Sequence, residues 1–422
     1  MRDRIPADVT ASSVFDRLAR RPVLSAFLLA LTVRALASVA IRVLRDGVLF
    51  LDDRAYLRMV QLYAESGRSG LSIGQRGTWD ALGSFLQPLG WLGRLLSADP
   101  LVIALATGLA GSLVAAAVAG LVRRRLGGHT AFVAGALVAL MPSQILWSSL
   151  ILRDAYSWLA LSLLAVLIGV GGTHPRRLAA WLVIPLVLVY LDGIRGHTFI
   201  VASFATAVAV VFAFRKHALR IAAVIVAVGA VSLASGVADR VVSVLESGTS
   251  GRQEELTAAV EAGKTTIACV VVPFVYEAPS DGVGWSGDLQ CVPSGIRMML
   301  FDPFPNQLDK SRSLIPAFAE NILWYPLLFL AARGIRRLRG WRTQDVFILA
   351  SAVGTILMWS LVDRNFGTAY RHRGEFFWAV AYFAAIGLQH TVMGQNANPG
   401  SISGRIRARL VPDGHQCSRR SP

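Results

Sequence analysis

The sequence predicts an all-α integral membrane protein with about ten transmembrane helices, and three observations lead there. Hydrophobic residues make up 54% of the chain and charged ones 16%, against about 25% charged in an ordinary soluble domain. Mean hydropathy is +0.53. At about 20 residues per crossing plus connecting loops, 422 residues leave room for roughly ten to twelve spans.

Apolar runs bounded by charge fall at 22–44, 100–122, 129–149, 152–171, 178–192, 197–214, 218–237, 316–334, 343–362 and 375–392. A net charge of +16 normally raises nucleic acid first. The positions of the bases argue against that and for membrane topology. If the ten runs alternate, Arg123–Arg125, Arg176–Arg177, Arg215/Lys216/Arg220 and the group from Arg333 to Arg342 all share one side with both terminal segments. That side holds 23 of the 42 bases, and the positive-inside rule makes it cytoplasmic. Residues 1–21 then form a cytoplasmic N-terminus, 22–392 the transmembrane domain and 393–422 a disordered basic cytoplasmic tail. The first run exceeds a signal peptide's apolar region and lacks a clear small-residue exit, so it reads as a span. The expected location is a bacterial plasma membrane, the Arg- and Ala-rich usage suggesting a GC-rich genome.

Two long extracytoplasmic loops follow, about 45–99 and 238–315, and loops of this length generally carry function. The first opens Leu51-Asp52-Asp53-Arg54-Ala55-Tyr56. From Asp53 onward Tyr56, Met59, Val60 and Tyr63 keep helical spacing, with Arg54, Arg58, Gln61 and Glu65 opposite, which predicts an interfacial helix. One of the two aspartates would cap it. Capping does not account for the second carboxylate beside it, whose repulsion calls for a cation or a proton-donating substrate. A second amphipathic stretch runs from Trp79 to Leu96, where Trp79 and Trp91 are interface anchors. Cys269 and Cys291 share the second loop and could close it by a disulfide, while Cys417 would be reduced inside. Asp302 to Pro305 is either a re-entrant edge or a Pro-set turn.

The remaining outer ends also carry ionisable groups. Arg153 and Asp154 begin the fourth span, either as a self-neutralised pair or as part of a site. Asp192-Gly193-Ile194-Arg195-Gly196-His197 makes the next turn. The last outer segment is densest, with Arg364, Arg371, His372, Arg373 and Glu375 within twelve residues. Singly such arginines snorkel; together outside they oppose the positive-inside bias and repel one another unless an anion lies between them. Carboxylates suit deprotonation of a hydroxyl and guanidinium groups suit a phosphate. The expected chemistry is transfer of a group from a phosphate leaving group, on a lipid carrier, to a hydroxyl.

These stretches resemble the GT-C superfamily of polyprenyl-phosphate-sugar-dependent glycosyltransferases, most closely the bacterial branch related to protein O-mannosyltransferases and lipid A aminoarabinose transferases. Asp52, Asp53 and Tyr56 match the branch's acidic pair followed by tyrosine. Pro142-Ser143 through Trp147 to Arg153-Asp154 looks like its second outer motif, and Gly367 through Tyr370, Arg371, His372 and Arg373 to Glu375 like its arginine-bearing motif before a terminal span. The chain departs from it in having aspartate where many relatives have glutamate second in the pair, and in a 238–315 loop that matches no family acceptor domain. The resemblance implies a GT-C-like fold and a sugar transferred from a polyprenyl-phosphate donor to a lipid, glycan or protein hydroxyl outside the cell. Asp52 would be the base with Asp53 assisting and Asp154 in the catalytic set. Arg371 and Arg373, with Arg153, Arg195, His197 and His372, would hold the phosphate, and transfer would proceed by inversion without a metal. Some relatives place a divalent cation near the acidic pair, for which Asp52, Asp53 and Asp154 would be the oxygen donors.

Three other readings differ in what they require. A polymerase or ligase of lipid-linked cell-surface polysaccharide would also use outward arginines. A transporter needs a polar path at the midplane, for which the deep Arg34 would pair with an acid such as Asp154. A membrane peptidase would need Cys269 or Cys291 free.

Overall fold

The computed structural model of the chain describes residues 8–171, 178–214, 285–305, 315–362 and 366–396. Among these there is no strand, and the protein is an all-α, multi-pass membrane protein. Among the described residues six helices are long and apolar enough to cross a bilayer, or seven if a bent pair counts as one span. The expected span 218–237, Cys269 and Cys417 lie outside the described residues, as do residues 397–422 of the expected tail.

Helix α1 (Asp8–Arg20) leads into α2 (Pro22–Arg45), which starts with proline in its first turn and ends at Asp46 in the left-handed conformation, φ 54°. Helix α2 buries only Pro22, Ala26, Ala30, Arg34 and Ser38, a stripe of one residue per turn. Leu24, Leu28, Leu36, Val39 and Val43 stay exposed, as expected of a helix facing lipid. Helices α3 (Leu51–Ser66), α4 (Ile73–Ala81) and α5 (Gly83–Leu95) fill the first loop. The expected interfacial helix is α3, and the expected Trp79–Leu96 stretch divides between α4 and α5, with Trp79 buried in a small core with Val60 and Phe85.

Asp99 caps α6 (Pro100–Leu126) by accepting from the Leu101 N–H at 2.8 Å, and Arg123–Arg125 occupy its last turn, where cations meet the negative end of the helix dipole. Helix α7 (Gly128–Leu140) and α8 (Pro142–Ser148) are one apolar run bent by 59° at Met141. Pro142 explains the bend, since it has no N–H for the carbonyl four residues back. Helices α9 (Asp154–Gly171), α10 (Leu178–Asp192) and α11 (Gly196–Ala213) follow. Helix α10 matches the expected run 178–192 and, at 15 residues, is among the shorter apolar helices rather than the six full-length ones.

Helix α12 (Trp285–Leu300) lies within the expected 238–315 loop and packs on α14 (Thr343–Val362). Helix α13 (Ile315–Arg337) packs on α15 (Phe366–Asn396). Their backbones meet at two glycines: a Cβ on Gly334 would strike the Phe383 carbonyl, and one on Gly387 the Leu330 carbonyl, so small residues set this crossing. Every residue from His372 to Gly387 is buried, making α15 the axis of the bundle. On the arginine-rich side Arg125 reaches Asp345 at 2.6 Å, and the Tyr382 hydroxyl donates to the same carboxylate at 2.5 Å, tying α6, α14 and α15 together.

Candidate functional site

Three separate turns converge at the end of the bundle opposite the arginine-rich side. The first turn of α3 brings Asp52 and Asp53, the start of α9 brings Arg153 and Asp154, and the turn into α11 brings Arg195. Helix α15 adds Arg371, His372 and Glu375 from its first turns.

Adjacent residues on a helix diverge by about 100°, and this separates the two aspartates. Asp53 turns back under the start of α3, where its two carboxylate oxygens accept the N–H groups of Leu49 and Phe50, each at 2.8 Å. It is fully buried and closes the helix start from the third helical position, by accepting from the N-cap residue Phe50. Burial pushes its carboxyl above the ordinary aspartate value, against the opposing pull of the backbone N–H groups of Leu49, Phe50 and Arg54. Asp52 instead points outward, with its side chain 56% exposed, and Arg371 Nη1 donates to its Oδ2 at 2.9 Å.

Behind that pair lies a buried chain of charges. Asp154 accepts from Arg371 through Nη2 at 2.6 Å and Nε at 2.9 Å, and from Arg195 Nη2 at 3.1 Å. Arg195 also pairs with Glu375. Glu375 accepts in addition from Thr198 Oγ1 at 3.1 Å and Trp359 Nε1 at 2.8 Å. His372 stacks on Trp359 with ring centroids 3.5 Å apart, and His197 lies 5.7 Å from the same indole. Trp147 supplies a wall, 5.8 Å from the Arg371 guanidinium and 5.1 Å from Phe50.

Arg153 is compensated least. Its hydrogen bond is to the Ile194 carbonyl at 3.3 Å, and its Nε has no partner. A guanidinium so placed is most stable with an anion against it.

Arg373 does not join this group. On a helix, residues two apart face nearly opposite ways, so with the segment helical from Phe366 the expected loop pair of Arg371 and Arg373 splits. Arg373 donates to Met299 O at 2.7 Å, Met298 O at 3.1 Å, Asn321 Oδ1 at 2.9 Å and the Asp302 carbonyl. It closes the C-terminal carbonyls of α12, with four of its five N–H donors engaged there and at Asn321. The Asp302–Pro305 segment is held in place by this arginine and by Asn321, whose Nδ2 donates to Pro303 O at 3.0 Å. Asp363, Arg364 and Asn365 lie outside the described residues, as does the Cys291 side chain.

Arg34 does not pair with Asp154 either. It donates to Ser148 Oγ at 2.7 Å and to the carbonyls of Val138 at 3.2 Å, Ala139 at 3.4 Å and Ala30 at 3.3 Å. Val138 O is the acceptor that Pro142 cannot serve. The next N–H, of Ser143, is given to Glu320 Oε2 at 2.6 Å. Arg34 thus repairs the break between α7 and α8, and the polar path that a transporter requires does not run through it.

The oxygen set Asp52, Asp53 and Asp154 does not fit a divalent cation. Both Asp53 oxygens are taken by backbone N–H groups, and a guanidinium fills the place between Asp52 and Asp154. Asp154, His372 and Glu375 bring ligand atoms within 4.8 Å of one another, but Arg371 and Arg195 already neutralise both of those carboxylates. What the arrangement offers is an exposed carboxylate on a preorganised guanidinium lattice.

Sequence reasoning named Glu375 without giving it a role, and missed Trp359 and Glu320. Glu320 is buried and accepts from Ser143 Oγ at 2.7 Å and the Tyr370 hydroxyl at 2.9 Å. The signal that could have found it is a lone acid inside an apolar run, which needs a partner. No family model matches this chain, and no curated protein or solved structure matches it either.

Proposed function

We propose that the protein is a membrane glycosyltransferase of GT-C type, moving a sugar from a polyprenyl-phosphate donor to an acceptor hydroxyl at the extracytoplasmic face of a bacterial plasma membrane. On this reading the fold has ten spans with both termini in the cytoplasm. One observation carries the reading: Asp52, exposed at the end of the first span, is held by Arg371 of the last helix beside the under-compensated Arg153, although 319 residues separate Asp52 from Arg371.

The arrangement gives each group a task. Donor phosphate binds at Arg153 and competes with Asp52 for Arg371. Displaced from Arg371, Asp52 accepts the proton of the acceptor hydroxyl as its oxygen attacks the anomeric carbon and the C–O bond to phosphate breaks with inversion. The leaving phosphate keeps the bonding electrons and the charge, which Arg371 and Arg153 stabilise without reorganising, because Asp154 already fixes Arg371. Asp53 positions Asp52 by anchoring the start of α3, Arg195 and Glu375 brace Asp154, and the acceptor is a lipid, glycan or protein hydroxyl. The test is turnover of lipid-linked sugar by membranes containing the full chain. Asp52→Asn is expected to lower the rate at least ~100-fold, the usual size of a general-base contribution; unchanged turnover sinks the assignment.

A further inference from the structure

A second feature lies at the other end of the bundle. Two adjoining recesses, of about 800 and about 650 Å³, run along the lipid side of α6 between α2 and α9 and share Val23, Leu113, Ala116 and Arg123. Their floor is apolar, and Ala117 and Gly120 keep it deep. Their rim is cationic: Arg124 on one side, Arg20 and Arg21 on the other, with Arg123 common to both.

Two independent facts set this rim apart from ordinary snorkelling arginines. Of three consecutive arginines, Arg125 turns inward to Asp345, whereas Arg123 and Arg124 face outward, and among the described residues no acid forms an ion pair with Arg20, Arg21, Arg123 or Arg124. Four like charges round one recess repel unless an anion lies among them. The dimensions add the second fact. The ten helical steps from Leu113 to Arg123 rise about 15 Å, half of a hydrocarbon core of about 30 Å, so the recess is one leaflet deep and its charges stand at headgroup level.

We infer that this groove binds one anionic phospholipid of the leaflet on the arginine-rich side, its acyl chain lying along α6 and its phosphate on Arg123 and Arg124, with Arg20 and Arg21 closing the other edge. The site is separate from the charge cluster at the opposite end, and its occupant need not be a substrate.

The test is native mass spectrometry of the full chain released from vesicles containing equal amounts of phosphatidylglycerol and phosphatidylcholine. The wild type is expected to retain phosphatidylglycerol in preference. Arg123→Ala with Arg124→Ala should reduce that retention ~30-fold, at about fivefold per arginine near the surface, with phosphatidylcholine unaffected. Gly120→Leu tests the floor with the charges in place: a Cβ there meets nothing nearer than Val23 Cγ2 at 3.9 Å, so the larger side chain fills the groove without disturbing the bundle, and it too should expel the lipid. Equal retention of both lipids by the wild type, or undiminished phosphatidylglycerol in both variants, overturns the inference. So does a lipid-free dimer that Gly120→Leu disperses, which would make the groove a contact between copies.

Discussion

Asp154 is the point at which the architecture of the buried charge cluster can be broken most cleanly. Its carboxylate is fully buried and receives three charge-assisted hydrogen bonds, at 2.6 and 2.9 Å from Arg371 and 3.1 Å from Arg195. The surrounding ionic groups balance, with Asp52, Asp154 and Glu375 set against Arg153, Arg195 and Arg371. Asp154→Asn keeps the shape and one acceptor but leaves an excess positive charge in a closed space. A unit charge about 4 Å away is worth ~4 kcal/mol at an effective dielectric of about 20, and removing one partner of a buried pair typically costs ~3–5 kcal/mol. The lower end applies here, since Asp52 and Glu375 still hold the two arginines. Equilibrium unfolding of the purified protein in mixed micelles, followed by tryptophan fluorescence, should therefore show a loss of about 3 kcal/mol. Arg371→Gln in the Asp154→Asn background removes the excess charge again, so the double variant should lose at least ~1.5 kcal/mol less than the sum of the singles. A loss under ~1 kcal/mol for Asp154→Asn, or additivity within ~0.5 kcal/mol, would refute the buried lattice.

Three further outcomes follow from the geometry. Because burial raises the Asp53 carboxyl, the folded state binds that proton more tightly than the unfolded chain; the stability this gives is full below about pH 3.9, the unfolded value, and is lost as pH rises through the folded one. Asp53→Asn should flatten that part of a pH series of unfolding midpoints, and an unchanged slope between pH 4 and 7 contradicts it. Arg34→Leu strands the carbonyls of Val138 and Ala139 at ~1–3 kcal/mol each, and adding Pro142→Ala, which restores an N–H for Val138 O, should recover part of the loss; denaturant unfolding that shows no recovery would remove the repair role of Arg34. Arg373→Ala leaves the carbonyls of Met298, Met299 and Asp302 without this donor, so hydrogen exchange should accelerate over residues 298–304, whereas exchange as slow as in the wild type would show that α12 is anchored by other contacts.

The periodic part of this protein was legible in its sequence. Apolar runs bounded by charge located α2, α6, α9, α11, α13 and α14 to within a few residues, because each depends on its own residues and the bilayer. The amphipathic spacing from Asp53 to Tyr63 located α3 for the same reason. What could not be read was direction. Arg371 and Arg373 looked like one anion clamp while their segment was taken as a loop; as helix they face opposite sides, one to Asp154 and the other to the end of α12. Arg34 looked like half of an ion pair, but its partners are carbonyls orphaned by a proline 108 positions on. Glu375 and Glu320 gave no local signal of their roles because Arg195 and Ser143 lie 180 and 177 residues away.

The chain order of the outer cluster bears on how it enters a membrane during synthesis. A charged side chain taken alone into the centre of a bilayer costs about 2.5–3.5 kcal/mol on insertion scales. Asp154 and Arg195 are made first, 41 residues apart on neighbouring hairpins, so the early half of the cluster is already neutral as a pair. Arg371 and Glu375 then arrive as a neutral pair one turn apart on α15, while Arg373 between them is met by Asn321 and the α12 carbonyls made before it. Each half can insert without waiting for the other, and the cross-links from Arg371 to Asp154 and from Arg195 to Glu375 form only when the last helix docks. The same bonds that fix the geometry of the outer end therefore also report that the bundle is complete.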